Sequence, residues 1–107
     1  MQTVIQIVCN PSQKNSLRET IATDQKLIKF NLELTLFKKQ DRSDGWAKLV
    51  STDDKRGAIN MSWNGRTRTL ECRVVTKLSN KPNAIIGDFL NYLLKYHQRR
   101  IKFIAIF

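Results

Sequence analysis

Seven residues between positions 55 and 77 combine cationic side chains with a single tryptophan. They are Lys55, Arg56, Trp63, Arg66, Arg68, Arg73 and Lys77. Lysine and arginine neutralise phosphate groups and release their counterions, and an exposed tryptophan offers a flat face on which an unpaired base can stack. This combination is typical of proteins that bind single-stranded nucleic acid, so we take the seven residues as candidate binding residues.

Trp63 has an alternative role in the core. Its ring can pack among apolar side chains while the stem of Arg66 covers it, in a cation–π contact worth about 0.5–1 kcal/mol. The sequence does not choose between stacking and packing for this residue. Lys95, Arg99 and Arg100 follow an apolar helical stripe, where cations complement the helix dipole, and we assign them to the solvated end of that helix.

Residues capable of covalent or metal chemistry are few and widely separated. His97 is the only histidine. Cys9 and Cys72 do not have the sequence spacing of a zinc site or of a redox pair. The aspartates that occur close together flank turns, which Asp favours, and they are Asp41, Asp44, Asp53 and Asp54. No nucleophile elbow, phosphate loop or dinucleotide-binding turn occurs. We therefore predict a protein that is not an enzyme and uses no metal, cofactor or small-molecule substrate.

The positive charge is concentrated in the second half of the chain. The whole sequence has 19 Lys and Arg against 9 Asp and Glu. Residues 55–107 hold eleven of these bases and two of the acids, a net charge of +9, whereas residues 1–54 carry only +1. Such a field attracts polyanions. The first partner we predict is single-stranded DNA or RNA, bound with little sequence specificity. The alternative is a protein-interaction or assembly module with an acidic protein partner, which forms homo-oligomers.

Length and composition predict one domain over residues 1–107. The hydrophobic fraction of 41% is too high for a disordered basic tail. The first residues lack the pattern of a signal peptide, and no apolar run approaches the ~18 residues that a membrane helix requires. Two buried, reduced thiols suit a reducing compartment. We expect a cytoplasmic protein with no membrane contact.

Apolar and alternating segments predict several strands. They cover residues 3–9, 29–38, 46–52 and 102–107, with polar turns at 40–45 and 52–57. The segment 102–107 is almost unbroken in its apolar character, which indicates a central or well-covered position in the sheet. Residues 16–23 carry conflicting signals, because Ser16 and Glu19 form a capping box whereas Ile21 and the threonines around it are β-formers. Strand is the preferred interpretation of that stretch.

Asn64 and Gly65 lie between two strand-like runs and predict a hairpin with a two-residue type I′ turn. The register that follows pairs Trp63 with Arg66, Met61 with Arg68 and Ile59 with Leu70. One face then carries Ile59, Met61, Leu70, Cys72 and Val74, with Trp63, Arg66 and Arg68 at its tip. The opposite face is wet and basic and carries Asn60, Ser62, Thr67, Thr69, Glu71, Arg73 and Lys77.

Apolar residues from Ile85 to Leu94 recur at helical spacing, and Asn83 is placed to cap the helix they predict. The fold class expected is therefore α+β. An antiparallel, curved β-sheet in meander order is covered on one face by one long C-terminal helix, which is followed by a closing strand.

Two stretches of this sequence match motifs of a known family. Residues 45–50 read Gly-Trp-Ala-Lys-Leu-Val, and residues 55–66 read Lys-Arg-Gly-Ala-Ile-Asn-Met-Ser-Trp-Asn-Gly-Arg. The first resembles a strand of the plant Whirly type of single-stranded-DNA-binding regulators. The second resembles the Whirly hairpin, which has a basic pair, a tryptophan, a short turn and a base. With the helix after Asn83, about half of the chain is similar to Whirly proteins and to the positive-cofactor-four coactivator domain.

The resemblance implies contacts between a sheet edge and single strands, and oligomers formed through helices. The Lys-Gly-Lys-Ala-Leu motif of Whirly proteins has no counterpart in this chain. A cystatin-like curved sheet over a helix describes the same predicted elements equally well.

Overall fold

The computed structural model describes residues 2–10, 16–38, 46–52, 57–76 and 83–107. Their elements are β1 (Gln2–Cys9), α1 (Leu17–Ala22), β2 (Leu32–Lys38), β3 (Trp46–Ser51), β4 (Gly57–Asn64), β5 (Thr69–Thr76), α2 (Asn83–Tyr96) and β6 (Ile101–Ile106). Two 3₁₀ segments, Gln25–Phe30 and Gln98–Arg100, precede β2 and β6. The predicted α+β class is confirmed.

The strands form one six-stranded antiparallel sheet in the order β2-β3-β4-β5-β1-β6. Strands β2 to β5 follow one another as a meander, as the sequence predicted. Strand β1 then lies between β5 and β6 and pairs with both. Strand β6 is therefore an edge strand, and the central or well-covered position predicted from its apolar sequence is wrong. The reason is that β1 takes the interior place beside β5.

One face of the sheet packs against the helices. We call it the inner face, and its buried residues include Ile5, Ile7, Leu49, Ile59, Met61, Leu70, Cys72 and Val74. Leu17 and Ile21 of α1 join Ile85, Phe89 and Leu93 of α2 in the same core. The sequence predicted that one C-terminal helix covers this face. This prediction was incomplete, because α1 and the segment Gln25–Phe30 cover the face together with α2. The opposite side is the outer face.

Residues 16–23 contain a helix and not the preferred strand. The Ser16 side chain accepts a 3.0 Å hydrogen bond from the Glu19 backbone N–H, so Ser16 is the N-cap of α1. Leu17 and Ile21 lie one turn apart and are fully buried in the core. The cap and this burial outweigh the β propensity of Ile21 and the neighbouring threonines.

The β4–β5 hairpin forms, but with a four-residue turn, Gly65 to Arg68, in place of the type I′ turn. The Asn64 side-chain oxygen accepts hydrogen bonds from the backbone N–H groups of Arg66 and Thr67, at 3.0 and 3.3 Å. The left-handed residue is Arg68, with φ of 53°, and Gly65 has no positive φ. Thus the Asn64 side chain closes a wider turn than the predicted one.

The predicted pairing within the hairpin is accordingly wrong. The structure pairs Trp63 with Leu70, Met61 with Cys72 and Ile59 with Val74. Each residue faces a partner four positions beyond the predicted one, and an even shift leaves every side chain on its original face. The predicted faces are therefore confirmed for the described strand residues.

Strand β2 begins later than predicted. Lys29 and Phe30 belong to the 3₁₀ segment, which ends at Asn31 in the left-handed conformation with φ of 59°. The left-handed conformation of Asn31 ends the 3₁₀ segment, and β2 begins at the next residue, Leu32. The predicted turn at 40–45 lies outside the described residues, as do residues 53–56. Among the described helices, none has the length and apolar character needed to cross a membrane.

Candidate nucleic-acid interface

Asn10 joins two chain segments that carry arginines. Its backbone N–H donates to the Arg100 carbonyl at 2.8 Å, and its side-chain amide donates to the Arg99 carbonyl at 2.9 Å. Its own carbonyl accepts a 3.3 Å hydrogen bond from Arg68 Nε. The Cys9 N–H also donates to the Arg68 carbonyl, at 2.9 Å. The β4–β5 turn and the 3₁₀ segment before β6 therefore lie on either side of the end of β1.

Cations from these two segments, together with one lysine of β6, lie at this end of the sheet, which we call the basic end. Its members are Arg66, Arg68, Arg99, Arg100 and Lys102. Three of them are exposed, namely Arg66, Arg99 and Lys102, and the other two are half-buried. Cations grouped at one end of a domain produce a local potential that draws in polyanions.

The two half-buried arginines also hold the structure together. Arg100 Nη1 donates to Thr20 Oγ1 at 2.6 Å and so links α1 to the basic end. Besides the bond of its Nε to Asn10, Arg68 has a buried Nη2 that makes no hydrogen bond in the described part of the chain. The exposed cations are therefore the better candidates for direct contact with a ligand.

The outer face has a polar depression next to the basic end. It has a volume of about 400 Å³ and is lined by Gln6, Ser62, Trp63, Asn64, Thr67, Thr69 and Glu71. Hydroxyl and amide groups predominate, and these can donate to or accept from phosphate, sugar or base. The depression thus offers neutral hydrogen-bonding groups beside a cationic edge.

Trp63 is held against the protein body. It is half-buried, pairs with Leu70 in the sheet and packs against the hydrophobic core, and part of it lines the depression. A Cβ atom placed on Gly65 would lie 3.6 Å from the Trp63 Nε1. Of the two roles that the sequence left open, packing is the one that this geometry favours.

Two exposed aromatic residues on the outer face were missed by the sequence analysis. Phe103 is 52% exposed and Phe107 is 72% exposed. Phe103 pairs with Val8, which pairs on its other side with Thr69 of the depression. The signal was present in the sequence, because Phe103, Ala105 and Phe107 alternate with isoleucines and so share one face of a strand.

Of the remaining predicted binding residues, the structure describes Arg73 alone. Arg73 lies on the outer face, exposed, and its Nε is 3.2 Å from a Glu71 carboxylate oxygen. Lys55, Arg56 and Lys77 lie outside the described residues. The structure therefore brings Arg66 and Arg68 together and sets Trp63 beside their turn, whereas Arg73 stands apart and partly neutralised.

No family model, curated protein or solved structure matches the chain. The similarity of residues 45–94 to Whirly-type regulators stays a prediction. The candidate interface accordingly depends on its own geometry and charge.

His97 belongs to a buried polar cluster on the helical side of the molecule. Its Nε2 is 2.8 Å from the Tyr92 hydroxyl and 3.5 Å from an Asp24 carboxylate oxygen. Phe30 and Tyr96 pack their rings against Tyr92. Within the described ranges, no three His, Cys, Asp or Glu side chains are grouped closely enough to hold a metal ion. His97 is buried and packs against the Tyr92 ring, which is the environment of a structural residue.

Burial and hydrogen bonding set the protonation of this cluster. Burial lowers the pKa of His97 below its ordinary value of 6.5, and the positive charges of Arg100 and Lys26 act in the same direction, against the opposing effect of Asp24. Burial by itself would raise the pKa of Asp24, but hydrogen bonds from Tyr92 and Lys26 outweigh it and hold the pKa below 3.8. His97 is therefore neutral, and Asp24 ionised, at pH 7.

The two cysteines are unpaired and buried. Burial raises the pKa of Cys9, although the nearby Arg100 and Arg68 oppose this effect. Burial also raises the pKa of Cys72, and the negative charge of Glu71 adds to it. Both thiols are thus protonated at neutral pH, which makes them poor nucleophiles.

Proposed function

We propose that the protein binds single-stranded nucleic acid, with little sequence specificity, across the outer face beside the basic end. The observation that supports this most is the placement of Phe103. Its exposed ring lies on the same face as the polar depression, and Lys102 and the Arg99 segment precede it directly in the chain. Arg66 lies at the other side of the same sheet end, in the β4–β5 turn.

Each part of this surface has a physical role in the proposal. A base stacked on an aromatic ring contributes roughly 1–3 kcal/mol, whatever its identity. Arg66 and Arg99 neutralise phosphates on either side of the stacked base. The depression binds sugar or base through Ser62 and Asn64. Stacking and phosphate contacts carry little sequence information, which is why we propose weak specificity.

The proposal can be tested by fluorescence anisotropy with a labelled single-stranded oligonucleotide at low salt. Phe103→Ala should weaken binding by about 5-fold to 150-fold, the equivalent of losing one stacked base. Ile28→Ala is the matched control, because Ile28 is 66% exposed on the 3₁₀ segment that covers the inner face. We expect the control to bind as the wild type does. Equal affinity of the Phe103 variant and the wild type would rule out stacking on Phe103.

The proposal needs no catalytic group, metal or cofactor, and we propose a protein that is not an enzyme. The unpaired state of Cys9 and Cys72 supports a location in the reducing cytoplasm. A Whirly-like mode of binding, by a sheet that carries a single strand, is part of the same proposal.

A protein-interaction or assembly module is the second candidate. The observation in its favour is the exposed apolar edge strand β6, where Ile106 is 54% exposed. Homo-oligomer formation belongs to this candidate. If an acidic protein is the natural partner, charge reversal at Arg66 and Arg99 should abolish its binding.

A further inference from the structure

The two edges of the sheet differ in how they are protected against pairing. Strand β2 carries an irregularity between Leu34 and Leu36 in its pairing with β3, and the exposed acid Glu33. Both features are known to blunt a sheet edge. Strand β6 has a single charge, at Lys102, followed by five apolar residues. Edge β6 is therefore the one suited to accept another strand.

The free backbone groups of β6 can be assigned. Phe107 exchanges both backbone hydrogen bonds with Val4, at 2.8 and 3.3 Å. In an antiparallel ladder such pairs alternate, so Phe103 and Ala105 also direct their N–H and C=O groups towards β1. Ile104 and Ile106 then direct theirs outwards, away from the sheet. These outward groups are the ones that a docking strand would meet.

We propose that β6 pairs in antiparallel fashion with β6 of a second copy of this chain, with Ala105 facing its counterpart across a two-fold axis. In this register Ile104 and Ile106 of the two copies exchange backbone hydrogen bonds through their outward groups. The axis is perpendicular to the sheet, so the two sheets join into one and both helical layers lie on the same side.

The exposed apolar side chains of β6 favour this register. Phe103 of each copy faces Phe107 of the other, which makes an aromatic cross-strand pair on the outer face. Ile106, 54% exposed in the single chain, faces Ile104. Lys102 precedes Phe103 in β6 and is exposed in the single chain. Every exposed large apolar side chain of the strand thereby gains an apolar neighbour.

Charge favours antiparallel over parallel pairing of the two copies. The basic end of each molecule contains Arg66, Arg68, Arg99 and Arg100, at the end of the sheet where β6 starts. Antiparallel pairing directs the two basic ends in opposite directions, whereas parallel pairing would set them side by side at a cost in repulsion. This arrangement leaves the outer face open, and it does not depend on nucleic-acid binding.

Disulfide trapping tests the register. Directly opposed residues of a non-hydrogen-bonded antiparallel pair have Cα atoms about 4.5 Å apart, within the range of a disulfide. Ala105→Cys should therefore give a covalent dimer under mild oxidation, and Phe103→Cys, which faces Phe107, should not. The wild type controls for Cys9 and Cys72. Preferential crosslinking of the Phe103 variant, or none by either variant, would overturn the register.

Sedimentation equilibrium without nucleic acid tests the pairing itself. We expect the wild type to dimerise with increasing concentration, and Ile106→Lys to weaken the dimer by about tenfold or more, because a charged residue then enters the paired edge. Ile28→Lys, at the 66% exposed Ile28, should dimerise like the wild type. Circular dichroism establishes that both variants are folded. A wild type that is monomeric at all concentrations would overturn the proposal and leave β6 to a strand of another protein.

Discussion

The Tyr92 hydroxyl donates to the Asp24 carboxylate across 2.6 Å and so fastens α2 to the segment that follows α1. Since the tyrosine proton goes to Asp24, the hydroxyl oxygen accepts from His97, and His97 must carry its proton on Nε2. Asp24 also caps the 3₁₀ segment by accepting from the Lys26 backbone N–H at 3.0 Å. A chain of polar groups thus connects the end of α2 with the start of that segment.

The free energy of unfolding should fall as the pH decreases below about 6.5. The pKa of His97 is lower in the folded chain than its ordinary value of 6.5, so the unfolded state binds the proton more tightly. The stabilisation is complete above pH 6.5 and is lost as the pH falls towards the folded pKa. Urea unfolding between pH 5 and pH 8 would measure this. His97→Gln should flatten the dependence in that window, and an unchanged slope would contradict the assignment.

Tyr92→Phe should destabilise the protein by about 1–3 kcal/mol, because the buried Asp24 and His97 both lose a hydrogen-bond partner. Tyr96→Phe is the matched control, since the hydroxyl of this half-buried residue makes no hydrogen bond within the described residues. Chemical unfolding at pH 7 compares the two. Equal losses in both variants would show that the ring packing, and not the hydroxyl of Tyr92, carries the stability.

Ser16→Ala should cost about 1 kcal/mol, because the side chain caps α1 by accepting from the Glu19 N–H. Ser16→Asp should preserve most of the stability, since aspartate is an equally good N-cap. Thermal unfolding monitored by circular dichroism distinguishes them. An alanine variant as stable as the wild type would argue against the helical assignment of residues 17–22.

Asn31 tests the left-handed end of the 3₁₀ segment. Asn31→Ala should destabilise by about 1–2 kcal/mol, since a Cβ-bearing residue without a short polar side chain is strained at a φ of 59°. Asn31→Gly should be no less stable than the wild type, because glycine adopts this φ without strain. Urea unfolding of both variants measures the difference, and equal destabilisation would indicate that the asparagine side chain matters more than the backbone.

The salt dependence of oligonucleotide binding tests the basic end. The logarithm of the affinity should fall linearly with the logarithm of the salt concentration, with a slope of about 0.7 per phosphate contact on single strands. Replacing Arg66 and Arg99 together by alanine should reduce that slope by about 1.4, and Lys29→Ala, on the helical side, should leave it unchanged. A slope identical to the wild type would exclude both arginines from phosphate contact.

Most of the sheet was predictable from the sequence because alternation and burial are local signals. The alternation of Leu32, Leu34 and their polar neighbours located β2, and the apolar helical stripe that includes Ile85 and Phe89 located α2. The faces of the hairpin were also predictable, since a register error of an even number of residues preserves them.

The errors arose where the outcome depended on contacts between distant residues. The position of β6 follows from the insertion of β1, which pairs Ile7 with Ile104 nearly a hundred residues away. Residues 16–23 are helical because Leu17 and Ile21 reach a core that assembles only in three dimensions. The basic end forms because Asn10 hydrogen-bonds with Arg68 and Arg99. These residues are far apart in the sequence, and their spacing does not predict the contact.

The place of β1 inside the sheet has a consequence for how the chain folds. In the part from β2 to β5, each strand pairs with the next strand along the chain. These pairs can therefore form one after another, starting from the turns. Strand β1 can take its place only when both β5 and β6 are available to pair with it. These two pairings close the longest loops in the molecule. We expect insertion of β1 to be the slow step of refolding. Substitutions at Ile5 should then change the rate of unfolding more than that of the early collapse.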